Sequence, residues 1–202
     1  MADVKKALGR PPTMDAPRET ILAHAATLFA ENGFELTSLN DIARSVGVSK
    51  AAVYHYFSSK QALYEEIIVG LLDGLHEFVT EAIGAGGSAE ERLALFMRAH
   101  ATYFENNYTA FATLLHGVGG VGPKGGREIE VRDRYEAVLR GLLRQGISDG
   151  RFQMEDVGIG AKGILAVINW MVRWYKPDGQ KTAAEIADIY FAMIYKGIRD
   201  DR

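Results

Sequence analysis

The chain has 202 residues, 48% of them apolar and 24% charged, with a net charge of −3 and no cysteine. That composition is globular and the length sustains a real core, which excludes a disordered or fibrous protein. The missing cysteine excludes a disulfide framework, a thiol nucleophile and any Cys-ligated zinc or iron–sulfur site.

Charge is unevenly spread. Residues 1–60 hold seven Lys/Arg against six Asp/Glu, or +1, and residues 61–202 hold sixteen against twenty, or −4. Four of those seven basic residues (Lys5, Lys6, Arg10, Arg18) lie in the first eighteen positions. Attraction for phosphate would have to come from a local surface. The opening MADVKKALGRPPTMDAPRET has no apolar stretch of the kind a secretory leader needs. The longest apolar run, Gly163 to Val172, is interrupted by Asn169 and is about half a membrane span. A cytoplasmic protein with no membrane partner is expected.

Pro11, Pro12 and Pro17 mark residues 1–17 as an irregular basic arm. Ile21, Leu22, Ala25, Leu28 and Phe29 then recur on one face of a helix that Asn32-Gly33 ends. Ser38 begins a capping-box-like start, Ser38-Leu39-Asn40-Asp41, for a short helix to about Val46. Gly47 breaks it, and Ser49 caps a second short helix, Lys50 to Phe57. Ser58-Ser59-Lys60-Gln61 reads as a further capping box opening a long helix through Val79. Helices follow at Ser88 to Asn106, Tyr108 to His116, Arg127 to Ser148 and Asp156 to Tyr175, the last stopped by Pro177. A final helix, capped at Thr182, runs to about Arg199. No segment alternates in the manner of a strand. The fold class is therefore all-α, with about nine helices and no internal repeat.

The informative stretch is GFELTSLNDIARSVGVSKAAVYHYFSSK, residues 33–60. Two helices of about eight residues meet at the tight turn Val46-Gly47-Val48, the layout of a helix–turn–helix. In that motif the second helix lies in the major groove with its first residues at the base edges. Ala51 and Ala52 would let the backbone approach the groove, and an Ala methyl can touch a thymine methyl. Lys50, Tyr54, His55 and Tyr56 have the reach for bases or phosphates. Helix N-termini at Ser38 and Ser58 offer N–H groups to phosphate oxygens, with Lys60 alongside. Ser49 and Ser58 act first as caps, and Val53 and Phe57 as core. The spacing by itself also fits two packed short helices in an ordinary helical protein.

Residues 18–64 resemble the N-terminal DNA-binding domain of TetR/AcrR-type transcriptional regulators. The matching elements are Leu28-Phe29 with Gly33-Phe34, Thr37-Ser38 before Asp41-Ile42-Ala43, Gly47-Val48-Ser49, Val53-Tyr54-His55-Tyr56-Phe57, and Lys60-Gln61-Ala62-Leu63. The resemblance implies that Asn40, Lys50, Ala51, Ala52, Tyr54 and His55 face bases or nearby backbone. It implies that Thr37, Ser38, Tyr56 and Lys60 stand at phosphate-contacting positions. Residues 65–202 would then form a ligand-binding and dimerisation domain.

Two features suit that division. Helices 156–175 and 182–199 are apolar all round, which calls for burial on every face and so for a second copy of the chain. Phe96, His100, Tyr103, Phe104, Phe111, Leu115, Trp170 and Trp174 are large side chains on helices expected to converge, with His100, His116, Asn169 and Arg173 as polar exceptions. They are candidates for a ligand cavity, although aromatic clusters are more often plain core than pocket. The segment Asn169-Trp170…Arg173-Trp174-Tyr175-Lys176-Pro177 resembles one found in TetR-type regulators that respond to acyl-CoA thioesters or related acids. An apolar tunnel with Arg173 and Lys176 near its mouth would suit an acyl chain with an anionic head.

Gly117-Val118-Gly119-Gly120-Val121-Gly122 matches the dinucleotide fingerprint literally but follows a helix, so it reads as a loop. The five histidines show no metal-ligand spacing, and no nucleophile–base set is arranged in the sequence. The expectation is a homodimeric repressor, not an enzyme, with no cofactor and no metal. It would bind a palindromic duplex operator and leave it on binding a small hydrophobic effector, an acyl- or aryl-CoA or related acid. The alternative is an all-helical ligand-binding or catalytic protein with an incidental helix–turn–helix.

Overall fold

The computed structural model describes residues 17–118 and 126–199, with the side chains of 114–118 excepted. The expected basic arm and most of the Gly-rich loop fall outside the described residues. Nine α-helices occur among those described: α1 (Pro17–Asn32), α2 (Leu39–Val46), α3 (Lys50–Tyr56), α4 (Lys60–Ile83), α5 (Ala89–Asn106), α6 (Tyr108–Val118), α7 (Gly126–Ser148), α8 (Val157–Asn169) and α9 (Ala183–Ile198). The all-α expectation holds; the one β-type pairing described is an isolated bridge between Phe152 and Arg199.

Local chemistry fixes where these helices begin. Ser38, Ser88 and Thr182 each form a full capping box with the acid three residues on, and each cap stabilises its helix by about 1 kcal/mol. Ser49 accepts from the Ala52 N–H. At α4 the cap is Ser59, which accepts from the Ala62 N–H, and not Ser58. Ser58 with Gln61 fits the box pattern, but Ser59, which has Ala62 three residues on, takes the cap without a reciprocal side chain. Gly47 has φ of 78°, and its N–H closes on the Ala43 and Arg44 carbonyls. That left-handed conformation makes the sharp turn from α2 to α3 and costs a residue with a Cβ much more than it costs glycine.

One expected helix is shorter than its sequence suggests. α8 ends at Asn169, and Trp170–Arg173 tighten into a 3-10 turn. The Trp174 N–H still reaches the Met171 carbonyl at 3.1 Å and the Tyr175 N–H the same oxygen at 2.8 Å. The chain therefore keeps coiling to Tyr175. Over four residues, apolar spacing does not separate periods of 3.0 and 3.6.

Two apolar cores meet along α4. Ile21, Phe29, Ile42, Val53, Phe57 and Leu63 anchor the first, which joins α1–α3 to the first half of α4 and takes Val131 from α7. Leu75, Leu93, Phe96, Leu139, Ile168 and Met171 anchor the second, built from the rest of α4 and the helices after it. The expected boundary at residue 64 falls inside α4, so the first core reaches the second through one continuous helix. α6 makes a second link: the Thr113 hydroxyl donates to the Ala26 carbonyl of α1 at 2.7 Å.

The apolar helices α8 and α9 are not buried on every face within one chain. Ala161, Ile164 and Ile168 face inward, as do Ala183 and Ala187. Ile159 is 71%, Trp170 62% and Met193 65% exposed, with Val167, Trp174 and Ile189 also open. These positions form an outward apolar stripe.

Candidate nucleic-acid interface and ligand cavity

α3 is a seven-residue helix held by Val53 on its inner face and by Phe57 just beyond it, both buried. The opposite face is open. Lys50, Ala51, His55 and Tyr56 are exposed, Tyr54 is 48% exposed, and Ala52 is half-buried. Lys50 and Tyr54 lie one helical turn apart, with the ammonium 5.6 Å from the ring centroid. His55 and Tyr56 meet edge to face at 5.0 Å. Asn40 and the cap residues Ser38 and Ser49 are exposed beside them. The structure thus brings together most of the residues expected to read DNA, on one surface around α3.

Two of the expected contacts have other work. Thr37 is only 3% exposed, and its hydroxyl lies 3.1 Å from the Leu28 carbonyl and 2.9 Å from the Gly33 carbonyl, donating to them. Its side chain fastens the end of α1 to the start of α2 and is not presented to a phosphate. Lys60 is half-buried, donating to the Phe34 carbonyl at 2.7 Å and the Glu35 carbonyl at 3.3 Å, with its ammonium 4.3 Å from the Phe34 ring. It ties the loop before α2 to the first turn of α4. Arg18 is likewise engaged, paired with Glu66 and lying over the Phe57 ring. Among the described residues, Lys50 and the exposed Arg44, itself 3.4 Å from Asp41, supply positive charge on this face. Helix N-termini and polar side chains, as well as cations, can contact phosphate oxygens.

A cavity of about 430 Å³ lies in the second core between α4, α5, α6, α7 and α8. That volume is within the range of small-molecule sites. Of the expected ligand residues, His100, Phe111, Asn169 and Trp170 line it. Phe96, Tyr103, Phe104, Arg173 and Trp174 do not. Phe96 is fully buried and stacked on Tyr135, and Phe104 sits among Tyr108, Phe111 and Tyr175. Tyr103 packs on Phe78 and over Gly74. Arg173 lies over the Trp170 ring at 5.4 Å and Trp174 meets Tyr190 edge-on, both on the outer surface. The 3-10 turn carries these two away from the cavity. The side chain of Leu115 falls outside the described residues, as does that of His116.

Sequence reasoning missed the α7 wall and the charge at the cavity. Arg132, Tyr135 and Glu136 share one face of α7, and Lys162, Leu165, Ala166 and Asn169 share one face of α8. Arg132 is paired with Glu128, and Glu136 with Arg140. Lys162, the single charge in α8, makes no ion pair within 4 Å among the described residues and shares an adjoining groove with Asp133, Glu136 and Arg140. One lysine interrupting an otherwise apolar helix was the available signal.

The cavity also holds a buried polar set. The His100 Nδ1 lies 2.8 Å from the Tyr135 hydroxyl. Burial pushes the His100 imidazole down to about 4, with a hydrogen bond to the Asn169 side chain acting the other way. Burial likewise holds the Tyr135 hydroxyl well above its usual value. Both groups are neutral at physiological pH. Among the described residues no cluster of three His, Cys, Asp or Glu could hold a metal ion, and no helix is long and apolar enough to cross a membrane.

Comparison with known proteins places these surfaces in context. Residues 21–67 match the family model for bacterial regulatory proteins of the tetR family, and residues 86–198 match that of the tetracyclin repressor-like C-terminal domain. The HTH-type transcriptional repressor KstR2 of Rhodococcus jostii is 28% identical over 184 residues, 90% of each chain. The solved structure of the TetR family transcriptional regulator PfmR from Thermus thermophilus is 42% identical, with a TM-score of 0.80 over 87% of this chain and 97% of that one. AibR in complex with isovaleryl coenzyme A and operator DNA is 25% identical, with a TM-score of 0.78 over 89% of this chain and 98% of that one. With both family models matched in order and the helix–turn–helix face open, the chain belongs to the TetR family of bacterial regulatory proteins, DNA-binding repressors of transcription.

Proposed function

We propose that the chain is a homodimeric repressor that reads a palindromic operator with α3 and leaves it when a small hydrophobic ligand fills the α4–α8 cavity. The observation that carries this reading is the cavity's contact with both links to the DNA-reading unit. Leu72 and Leu75 on α4 and Phe111 on α6 line it. Only three residues separate α3 from α4, and α6 holds α1 through Thr113. A ligand that wedges these helices apart would change the spacing of two recognition helices, which a dimer places about one DNA turn (roughly 34 Å) apart. A 100-fold preference for the DNA-incompetent arrangement corresponds to about 2.7 kcal/mol of coupling per site.

The outward stripe of α8 and α9 supports the dimer, since a soluble chain covers an apolar face of this kind with a partner. Asn40, Ser49, Lys50, Ala51, Ala52, Tyr54 and His55 are the proposed contacts to bases and adjoining backbone, with Ser38 and Tyr56 toward phosphates. Acyl- or aryl-CoA thioesters, or the matching acids, remain the favoured effectors. Apolar lining beside Lys162 suits an apolar body with an anionic head, and the AibR complex shows that protein holding isovaleryl coenzyme A. In this reading Lys162 and Arg132 replace Arg173 and Lys176 as the receiving cations. The test is calorimetry with a panel of CoA thioesters alongside anisotropy of operator DNA. Binding below about 100 μM together with DNA release is expected. Failure of every thioester, with binding of a cationic drug-like compound instead, removes the acyl-CoA assignment.

A further inference from the structure

Besides α4 and α6, the first turns of α7 join the cavity to the DNA-reading unit. Val131 is 5% exposed and belongs to the first core, with Ile21, Phe29 and the first half of α4. Arg132, the next residue, lines the cavity. One helical turn back, its Nε and Nη2 donate to the Glu128 Oε1 at 3.0 and 2.8 Å. An exposed pair at this spacing contributes little, but this one is not exposed. The Glu128 side chain keeps only 15% of its surface, against 40% for Arg132, which is its ion-pair partner among the described residues. Taking the partner from a sheltered carboxylate leaves a charge uncompensated, which costs far more than the intact pair contributes.

Tyr64 carries the connection further. It is buried in the first core, meeting Phe29 and Phe34 edge-on at 5.8 and 5.0 Å, at the end of α1 and before α2. Burial and then the Glu128 carboxylate push its hydroxyl up to about 12, with Arg132 acting the other way. The Arg132–Glu128 pair therefore sits with one member at the cavity and the other beside the core under the helix–turn–helix.

We infer that this pair couples the cavity to the DNA face: an anionic group of the effector takes the Arg132 guanidinium from Glu128, and the first turns of α7 shift to bring Glu128 to water, loosening Val131 in the first core. This rests on the cavity being the site of an anionic effector and names the contact that turns binding into release. Arg132 touches the ligand; Glu128 is a positioning residue that acts through it. The two partners compete for one guanidinium, so weakening the hold of Glu128 favours the effector-bound arrangement at the expense of the DNA-bound one.

Glu128→Gln, which removes the charge and keeps the size, tests this on the full chain, with operator anisotropy and octanoyl-CoA calorimetry as readouts. Without the probe, the variant should bind the operator at least about fivefold more weakly, and it should bind octanoyl-CoA at least about fivefold more tightly, as a shift between two coupled states requires. The ratio of operator affinities without and with saturating probe should shrink by a similar factor. Glu128→Asp, which keeps the charge, should return both affinities toward those of the parent. Changes of opposite sign are the signature, because a variant that is merely less stable loses affinity for both partners. If Glu128→Gln weakens both, or changes neither, the pair is an ordinary helix pair and the inference fails; binding and release by the parent then still leave the cavity as the effector site. A parent that does not bind octanoyl-CoA, or binds it without leaving DNA, overturns the inference and the acyl-CoA effector reading together.

Discussion

The surface around α3 and the surface of α8 and α9 are both open, but different side chains build them. Around α3 the exposed groups are Lys50, Tyr54, His55, Tyr56 and the cap hydroxyls of Ser38 and Ser49, each with a polar atom to offer. Along the outward stripe of α8, the 3-10 turn and α9, the large exposed apolar groups are Ile159, Val167, Trp170, Ile189 and Met193, which offer area and, apart from the indole N–H, no donor. A hydrated, charged duplex meets the first kind of surface through individual contacts. Another protein face meets the second through burial, at roughly 25 cal/mol per Å² of apolar surface removed from water. The contrast teaches that one helical chain can present two open surfaces of different chemistry, each suited to a different kind of partner.

The sharpest way to break that contrast is to charge the apolar stripe. Ile189→Glu with Met193→Glu should give a single-chain mass in sedimentation, where the parent gives twice the 22.2 kDa chain. Operator affinity should fall more than about 100-fold, because two half-sites are no longer bound through one linked molecule. A dimer that survives the double substitution places the assembly surface elsewhere.

The buried end of the cavity should respond to acid. His100 stands at about 4 in the folded chain against 6.5 when exposed. Between those values the unfolded chain binds a proton that the folded chain does not, so stability falls as pH drops through that window and is level above it. The full loss is on the order of 3 kcal/mol, from about 1.4 kcal/mol per pH unit. Thermal melts of the parent and of His100→Gln at pH 7 and pH 5 should show the parent losing more. Equal losses would mean that His100 is protonated in the fold.

On the DNA face, Lys50→Ala and Tyr54→Ala should each weaken operator binding by about 1–3 kcal/mol while leaving binding to unrelated duplexes less affected. Fluorescence anisotropy against both duplexes measures this. The smallest effects separate structural from contacting residues on the same face. Thr37→Val and Lys60→Met should each cost about 1 kcal/mol of stability. They should change the slope of log affinity against log salt by less than roughly one unit per subunit. A full unit lost for Lys60→Met would put its ammonium on a phosphate.

The helix–turn–helix was legible because it depends on local devices that sequence states directly. Ser38 and Asp41 make one cap, Ser49 another, Gly47 the turn, and Val53 and Phe57 the inner face. The structural ties of Thr37 and Lys60 were not legible because their partners are the Leu28, Phe34 and Glu35 carbonyls, and backbone acceptors leave no trace in residue type. The cavity was half legible for a related reason. His100, Phe111, Asn169 and Trp170 are conspicuous residues on apolar helices. The α7 wall is a charged, solvent-patterned helix, and its inward turn at Arg132, Tyr135 and Glu136 is decided by packing against α4 and α8. Arg173 and Trp174 looked like cavity residues only while α8 was taken to run unbroken to Tyr175.

The claim on which the rest depends is that α3 reads a specific two-fold operator. Sequencing the genomic DNA retained by the purified full chain, followed by anisotropy on the enriched duplex, tests it most directly. An enriched, roughly palindromic site is expected, bound at least about 10³-fold more tightly than unrelated duplex of equal length. That preference should be lost in a folded Lys50→Ala, Tyr54→Ala double variant. No enriched sequence, or an unchanged preference in the double variant, would contradict it.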